Sequence, residues 1–326
     1  MTHKTRKILF YASFTAFLIL SALILIAALG FSYDFRSNNF VKTGSILLVV
    51  NKQADVFISD KSEGRTSFIG NSFSKKRLLP GEYEVRIQQE GFKIWQKKIE
   101  VREGLVTSFG NIILLGEEPK EEIFMSADDL AKYKDTRKHW DRISLSGMLN
   151  ENLENIVNIK TLTMNSKLFK IDGGNLFWLD DSDNQIYRSD FLGNAKKKIA
   201  GMQLPEGKIV DFSVSSDESA VAWATDHEVW IMWMKDSDYQ PAKKAGEKEL
   251  ITRLSENIKS IDWRKSGGYV FLRLENKFSM LETDIRGGIN LNSIFDSLEI
   301  GDVIWYDSGF DKIFKLQNDS LMSVKI

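Results

Sequence analysis

The chain has 326 residues, enough for about two domains, and 43% hydrophobic and 27% charged residues are ordinary values for globular proteins. Its 44 basic and 45 acidic residues leave a net charge of -1, which gives no reason to expect binding to nucleic acid. The absence of cysteine excludes disulfides, thiolate catalysis and cysteine-ligated zinc, and the presence of only three histidines argues against a multi-histidine metal site.

The first feature in chain order is an uncharged run from Ile8 to Phe31. As a helix it would extend about 36 Å, enough to cross a hydrocarbon core about 30 Å thick. We therefore predict a transmembrane helix over residues 8–31, in contact with the lipid bilayer. Lys4, Arg6 and Lys7 precede it, so the positive-inside rule predicts a cytoplasmic tail at 1–7 and extracytoplasmic domains after the helix.

Two alternatives stay open for this segment. Ala28-Leu29-Gly30 could serve as a signal-peptide cleavage site, although the apolar run is longer than the usual 7–15 residues. Small residues at Ala12, Ala16 and Ala27-Ala28 could also admit a partner helix, as in a sensory or assembly subunit. The length of the run favours a single-pass, uncleaved anchor in the cell membrane.

Short alternating segments punctuated by Gly and Pro occupy residues 44–115. From Glu82 to Ile87, for example, apolar residues alternate with charged ones, which indicates a strand with one buried face. Many short strands with regular turn signals predict a small all-β sandwich. The predicted strands are Ser45–Val50, Asp55–Ser59, Ser67–Ile69, Glu82–Gln89, Lys93–Val101 and Thr107–Leu115.

The motifs of this region resemble those of the PEGA domain, most clearly in Leu79-Pro80-Gly81-Glu82-Tyr83 followed by Gly91-Phe92. The family's Pro-Glu-Gly-Ala turn has been replaced by Asn51-Lys52-Gln53-Ala54, so the turn chemistry differs. The resemblance implies a surface-associated module that binds or packs at the cell envelope, with glycans among its ligands. The motif residues, to which we assign structural and not catalytic roles, are Gly44, Ala54, Thr66, Pro80, Gly81, Tyr83, Gly91 and Phe92.

Residues 116–158 are predicted to connect the β-sandwich to the repeat region. The charged, proline-bearing stretch at 116–122 predicts a solvated linker. Ser126 is a predicted N-cap, followed by acids in the first turn of a short helix that runs to about Trp140. We expect the Trp140 indole to pack on a neighbouring domain.

Residues 159–326 contain an internal repeat. Phe212–Met232 aligns without gaps onto Ile261–Leu281, and Ile261–Met280 onto Val303–Met322. Each copy reads as three short strands separated by polar turns, and an earlier copy begins at Leu176. Units of about 42 residues built from short antiparallel strands are typical of propeller blades. The region from Phe212 to Ile231 resembles the repeats of TolB-type propellers, although its turn lacks their proline and glycine.

The sequence therefore predicts a mainly β chain with an array of about four propeller-like blades. The last unit lacks an outer strand, which an early strand near Ile159–Met164 could supply to close a ring. An open array is the alternative.

Few residues point to chemistry. The acids from Asp180 to Asn184 could offer oxygen ligands to calcium, but they lie where a β-turn is expected and lack the spacing of an EF-hand. His227 has no histidine or cysteine partner nearby in the sequence. Trp230 and Trp233 fall on opposite faces of one strand because their spacing is odd, so one of them is a candidate binding surface for a sugar or a protein. We expect no catalytic residue, cofactor or metal.

These features favour a non-enzymatic, membrane-anchored protein that binds or scaffolds at the cell envelope. The propeller-like array would bind a protein partner, and the PEGA-like module an envelope polymer. The alternative is an extracytoplasmic carbohydrate-active hydrolase, which would need two carboxyl groups about 5–9 Å apart in one cavity.

Overall fold

A computed structural model describes residues 3–35, 37–134, 168–172, 175–180, 182–183, 185–190, 194, 196–199, 208–299 and 302–325. The chain divides into two compact units, one formed by residues 1–90 with 94–114 and the other by residues 91–93 with 115–326. The prediction of a mainly β chain with one apolar N-terminal helix is confirmed.

Helix α1 runs from His3 to Ala28 and none of its residues is buried within the protein. It is long and apolar enough to cross a membrane. The helix begins before the predicted span of 8–31, because the basic residues that precede Ile8 are good helix formers and extend it. At the other end Gly30 adopts a φ of +85°, which stops the helix, so that Phe31 already belongs to a strand.

A two-stranded hairpin follows α1, and then a β-sandwich of two sheets. The three-stranded sheet has the order β6-β3-β9 and the four-stranded sheet the order β5-β4-β7-β8. Trp95 and Phe109 contact each other edge to face across the two sheets, with ring centroids 5.5 Å apart. The strands are β1 (Phe31–Asp34), β2 (Asn39–Lys42), β3 (Gly44–Val50), β4 (Asp55–Ile58), β5 (Lys61–Arg65), β6 (Ser72–Leu78), β7 (Gly81–Gln88), β8 (Trp95–Val101) and β9 (Val106–Ile112).

One predicted strand of the sandwich was wrong. Residues Ser67–Ile69 form the turn between β5 and β6, where Gly70 and Asn71 take positive φ angles. The apolar Phe68 and Ile69 therefore project outward, each 84% exposed. The polar strands β5 and β6 on either side were not predicted, because both are edge strands whose side chains mostly face solvent.

Gly44 starts β3 at a point where no side chain fits. A Cβ there would lie 2.5 Å from the Arg102 carbonyl oxygen and 2.5 Å from Val101 Cγ1. We expect Gly44→Ala to lower the free energy of unfolding by about 1–3 kcal/mol, through overpacking against backbone. In β9 of the same sheet Gly110 has open space around it, so Gly110→Ala is expected to be neutral or to stabilise by up to about 1 kcal/mol. Denaturant unfolding of the two variants tests the contrast, and equal effects would contradict it.

The described residues of the second unit form four four-stranded antiparallel sheets, as the repeat predicted. Three of them are meanders of consecutive strands, in the orders β11-β12-β13-β14, β15-β16-β17-β18 and β19-β20-β21-β22. Their strands are β11 (Leu168–Asp172), β12 (Asn175–Asp180), β13 (Gln185–Asp190), β14 (Lys197–Lys198), β15 (Asp211–Val214), β16 (Ala220–Ala224), β17 (Glu228–Trp233), β18 (Lys248–Arg253), β19 (Ile258–Trp263), β20 (Tyr269–Leu274), β21 (Phe278–Glu282) and β22 (Leu291–Phe295).

The fourth sheet takes its outer strand from the connector. It has the order β10-β25-β24-β23, with β10 (Glu121–Met125), β23 (Ile304–Asp307), β24 (Lys312–Gln317) and β25 (Ser320–Lys325). The strand that completes this sheet is therefore β10 and not the predicted 159–164, which lies outside the described residues, as does Trp140. The predicted linker at 116–122 overlaps this strand, because Glu121 and Glu122 pair with Val324 and Ser323 of β25.

Helix α2 (Ala127–Lys134) follows β10 at the predicted place. The Ser126 hydroxyl accepts a hydrogen bond from the Asp129 amide at 3.3 Å, as an N-cap does. Leu130 on this helix is fully buried against Trp305, Phe314 and Leu321 of the fourth sheet.

Neighbouring sheets of the array pack face to face through apolar clusters. Phe177 and Ile186 of the first sheet pack with Phe212 and Trp223 of the second. Between the second and third sheets a cluster holds residues such as Ile231 and Leu272. This chain-ordered stacking of four-stranded meanders is a propeller-like arrangement.

Candidate functional site

An open cleft lies at one end of the second sheet of the array. It has a volume of about 620 Å³. We call it the edge cleft and define it by the residues that line it: Lys208, Thr225, Asp226, His227, Glu228, Arg253, Leu254 and Ser255. A smaller hollow of about 200 Å³ shares Leu254 and Ser255 and adds the charged side chains of Glu256, Lys277 and Asp296.

Backbone hydrogen bonds fix the walls of the edge cleft. The turn between β16 and β17 meets the segment that links the second sheet to the third. The Leu254 amide donates to the His227 carbonyl at 2.7 Å, and the Ile258 amide to the Asp226 carbonyl at 2.8 Å. The same bond recurs one repeat later, from the Leu298 amide to the Asn276 carbonyl at 2.8 Å. The backbone arrangement of the cleft thus recurs in the next unit of the repeat. Its side chains distinguish the edge cleft from the equivalent position in that unit.

Those side chains carry charges of both signs in a fixed arrangement. Glu228 accepts hydrogen bonds from Arg253 Nε at 2.8 Å and from the Trp230 indole at 2.9 Å. These bonds, first from Trp230 and then from Arg253, hold the pKa of Glu228 below its ordinary value of 4.5. His227 Nδ1 lies 3.3 Å from the Glu256 carbonyl oxygen. The cleft therefore carries charges of both signs in an ordered arrangement.

The lowered pKa of Glu228 makes stability depend on pH. Its contribution is present above the pKa of the unfolded state and is lost as the pH falls through the lower folded-state pKa. We expect Glu228→Gln to lower Tm at neutral pH, and the difference in Tm from the wild type to shrink as the pH falls through the folded-state pKa of Glu228. Trp230→Phe keeps a ring but removes the indole donor. It should therefore narrow the pH range over which the Glu228 carboxylate stabilises the fold. A difference that stays constant with pH would contradict this reading.

Trp230 and Trp233 lie on opposite faces of β17, as their spacing predicted. The Trp230 ring stacks on Trp223 at a centroid distance of 6.3 Å, and Trp233 packs on the cluster toward the third sheet. Lys243 Nζ lies 4.4 Å from the Trp233 ring centroid. Both rings are half-buried, so neither is the freely exposed platform that the sequence suggested. Their role in binding stays a prediction.

A buried ion network joins the first three sheets of the array. Lys170 Nζ lies 2.6 Å from Asp211 Oδ2 and 3.1 Å from Asp262 Oδ1, and it donates to the Ile261 carbonyl at 3.0 Å. The three side chains are only 13%, 10% and 7% exposed. These acids meet around a lysine and not around an open cavity, which is the arrangement of a structural ion network.

The PEGA-like motif residues have structural surroundings. The Ala54 amide donates to the Thr66 hydroxyl at 3.0 Å, and the Thr66 amide donates to the Ala54 carbonyl at 2.9 Å. Tyr83 donates its hydroxyl proton to the Leu79 carbonyl at 2.9 Å and so braces the turn before β7. Of the remaining motif residues, Gly44 starts β3, Pro80 and Gly81 lead into β7, Gly91 has a φ of +76° and Phe92 forms an isolated bridge with Gly116.

The acid-rich turn after β12 uses its carboxylates locally. Asp180 Oδ1 accepts from the Ser182 amide at 2.9 Å, and Asp183 Oδ2 accepts from the Tyr187 hydroxyl at 2.7 Å. Hydrogen bonding to Ser182 lowers the pKa of Asp180. Within the described part of the chain, no three His, Asp or Glu side chains form a group that could hold a metal ion.

Sequence reasoning singled out His227 but missed Glu228, Arg253 and Lys208 beside it. The repeat alignment contained a signal, because it places His227 level with Asn276 and Asn318 at the same turn of successive units.

The sequence analysis also missed the apolar turn of the sandwich, which we call the distal tip (Ser67–Asn71). β6 pairs antiparallel with β3, so this tip lies at the Val50 end of β3, about 20 Å from Gly44.

No protein-family model matches the chain, and no curated protein matches it. Several solved structures are similar in part. A β-propeller domain from Myceliophteria thermophila is 11% identical, with 46% of this chain and 48% of that chain covered and a TM-score of 0.32. A gluconolactonase from Xanthomonas campestris is 10% identical, with 49% and 58% covered and a TM-score of 0.32.

A protein of unknown function from Bacteroides thetaiotaomicron matches over more of the chain. It is 12% identical, with 82% of this chain and 63% of that chain covered and a TM-score of 0.29. The chain thus spans about half the length of the first two structures and less than two thirds of the third. The propeller-like arrangement rests on the sheet topology described above.

Proposed function

We propose that the chain is a non-enzymatic, membrane-anchored binding or scaffold protein that holds a protein partner on the extracytoplasmic side of the cell membrane. The observation that carries this proposal is the edge cleft. Its walls are fixed by backbone hydrogen bonds, and the Glu228–Arg253 pair gives it an ordered charge pattern. Patterned charges of this kind select partners and orient them, which suits a binding face.

Helix α1 supplies the anchor in this proposal. It has 26 residues, which corresponds to about 39 Å, and its exposed apolar surface requires an apolar surrounding. The basic residues at its N-terminal end support an orientation with that end in the cytoplasm.

Photo-cross-linking of the full-length protein in its native membrane tests the partner. A photo-reactive amino acid in place of Ser255, which lines the edge cleft, is expected to give a discrete protein adduct. The same group in place of Ser266, in the turn at the other end of a sheet, is the matched control and should give none. Equal labelling from both positions would contradict a role for the edge cleft.

A second binding role concerns the PEGA-like module and an envelope polymer. It is favoured by the distal tip, where an aromatic and an aliphatic side chain are each 84% exposed. Exposed rings of this kind stack on the apolar faces of sugars. Co-sedimentation of the detergent-solubilised full-length protein with purified envelope polymer is expected to resist salt and to be lost in Phe68→Ser/Ile69→Ser. Tyr239→Ser, at a position 87% exposed in the other unit, is the control.

The hydrolase alternative receives less support. The acids brought together from two sheets, Asp211 and Asp262, both contact the Lys170 ammonium and are largely buried. A glycosidase pair must instead flank an open site that admits the substrate.

A further inference from the structure

The hairpin between helix α1 and the sandwich has one aromatic and one polar face. In its register Tyr33 lies directly opposite Phe40, and Asp34 lies opposite Asn39. Side chains opposite each other in an antiparallel pair share a face, and successive side chains alternate. Phe31, Tyr33 and Phe40 therefore line one face, with Lys42 opposite Phe31 at its base, whereas the other carries Ser32, Asp34, Val41 and Asn39. We call residues Phe31–Lys42 the aromatic hairpin.

The aromatic face is organised but uncovered. The Tyr33 ring contacts the rings of Phe35 and Phe40 edge to face, with centroid distances of 5.0 Å and 5.2 Å. Phe35 is 84% exposed and Phe40 54% exposed. The hairpin forms a two-stranded sheet of its own, and isolated two-stranded sheets are marginally stable in water. Its aromatic face therefore needs an apolar surrounding.

The position of the hairpin identifies that surrounding. The Gly30 carbonyl, just after α1, accepts hydrogen bonds from both the amide and the hydroxyl of Thr43, each at 2.8 Å. The hairpin is thus closed at its base and attached to the C-terminal end of α1. A four-residue strand extends about 13 Å, so the backbone of β1 stays within about that distance of Gly30.

We propose that the aromatic hairpin lies in the phospholipid interface at the C-terminal end of α1, with its aromatic face toward the acyl chains and its polar face toward water. This inference rests on the proposed membrane anchoring by α1. A helix of about 39 Å exceeds a hydrocarbon core of about 30 Å, so its end reaches the headgroup region, where the amphipathic rings of Tyr and Trp are enriched. The hairpin would fix the rotation and height of the sandwich above the bilayer.

Site-directed spin labelling tests this directly, because the chain has no native cysteine. Single variants Phe40→Cys and Asn39→Cys place a nitroxide on the two faces of one strand, in the full chain reconstituted into phosphatidylcholine–phosphatidylglycerol vesicles. The ratio of collision with oxygen to collision with a water-soluble nickel chelate is expected to be at least about threefold higher at 40 than at 39. Leu18→Cys reports the membrane interior, and Phe68→Cys, at the distal tip, reports water.

The controls separate the two levels of the proposal. A membrane signal at 18 with equal, water-like signals at 39 and 40 would overturn the interfacial hairpin and leave the anchor standing. A water-like signal at 18 would overturn the anchor and the hairpin together. Protection of 40 from both reagents, with spin–spin broadening that disappears on dilution with unlabelled chain, would show contact with a second copy and also overturn the proposal.

Discussion

Replacing Lys170 with methionine is expected to lower the free energy of unfolding by about 3–5 kcal/mol, because breaking a buried ion pair leaves charge without compensation in a low-dielectric interior. Lys170 Nζ contacts carboxylates from two neighbouring sheets, at 2.6 Å and 3.1 Å. Denaturant unfolding followed by tryptophan fluorescence measures the change, since none of the eight tryptophans lies in α1.

A matched surface variant gives the comparison. Lys259 pairs with Glu275 at 3.0 Å, and both side chains are about half exposed. Lys259→Met is expected to cost at most about 1 kcal/mol, because solvent screens such a pair. A Lys170→Met/Asp211→Asn/Asp262→Asn variant should recover part of the loss by removing the uncompensated charge. Similar costs for the two lysine variants would show that the buried network does not hold the sheets together.

Trp223→Ala is expected to destabilise the array by about 3–5 kcal/mol, the usual cost of removing a large buried aromatic side chain. Trp223 is fully buried in the cluster between the first and second sheets. Its neighbour Trp230 is half-buried and exposes part of its ring, so Trp230→Ala should cost less than half as much.

This pair also bears on the candidate binding surface. If Trp230 serves binding, Trp230→Ala should weaken a partner complex at the edge cleft while the array stays folded. Equal destabilisation by Trp230→Ala and Trp233→Ala, with no separate loss of binding, would remove both tryptophans as candidates. Chemical denaturation and cross-linking yield from position 255 measure the two effects.

Alternation and self-similarity were the signals by which the sequence predicted the fold. In β8, Trp95 and Ile99 are buried, and the residues between them alternate between exposed and buried. The two-residue period of a strand could therefore be recognised in the sequence. The repeat between residues 212 and 322 reported the second, third and fourth sheets because equivalent strands bury equivalent faces.

Three of the strands that escaped prediction share a physical cause. β5, β6 and β10 each lie at the edge of a sheet. Edge strands carry charged side chains that block further pairing, so they lack the apolar pattern of central strands. At the distal tip the error was the opposite one, since a strand was predicted where the chain turns. Phe68 and Ile69 are residue types typical of strands, but here they are exposed.

The candidate site was less predictable because it depends on residues distant in the chain. Glu228 and Arg253 are 25 positions apart, and Lys170 and Asp262 are 92 apart. Only the folded backbone brings such pairs together. The repeat indicated where the turns lie but not which side chains meet there.

The measurement that tests the central claim most directly uses the ion pair of the edge cleft. Exchanging its charges in the Glu228→Arg/Arg253→Glu variant keeps an internal pair but reverses the pattern offered to a partner. We predict that cross-linking from position 255 in native membranes falls at least about tenfold in this variant, while the array stays folded at the assay temperature. An unchanged adduct yield with the fold intact would contradict the claim that the edge cleft binds the partner.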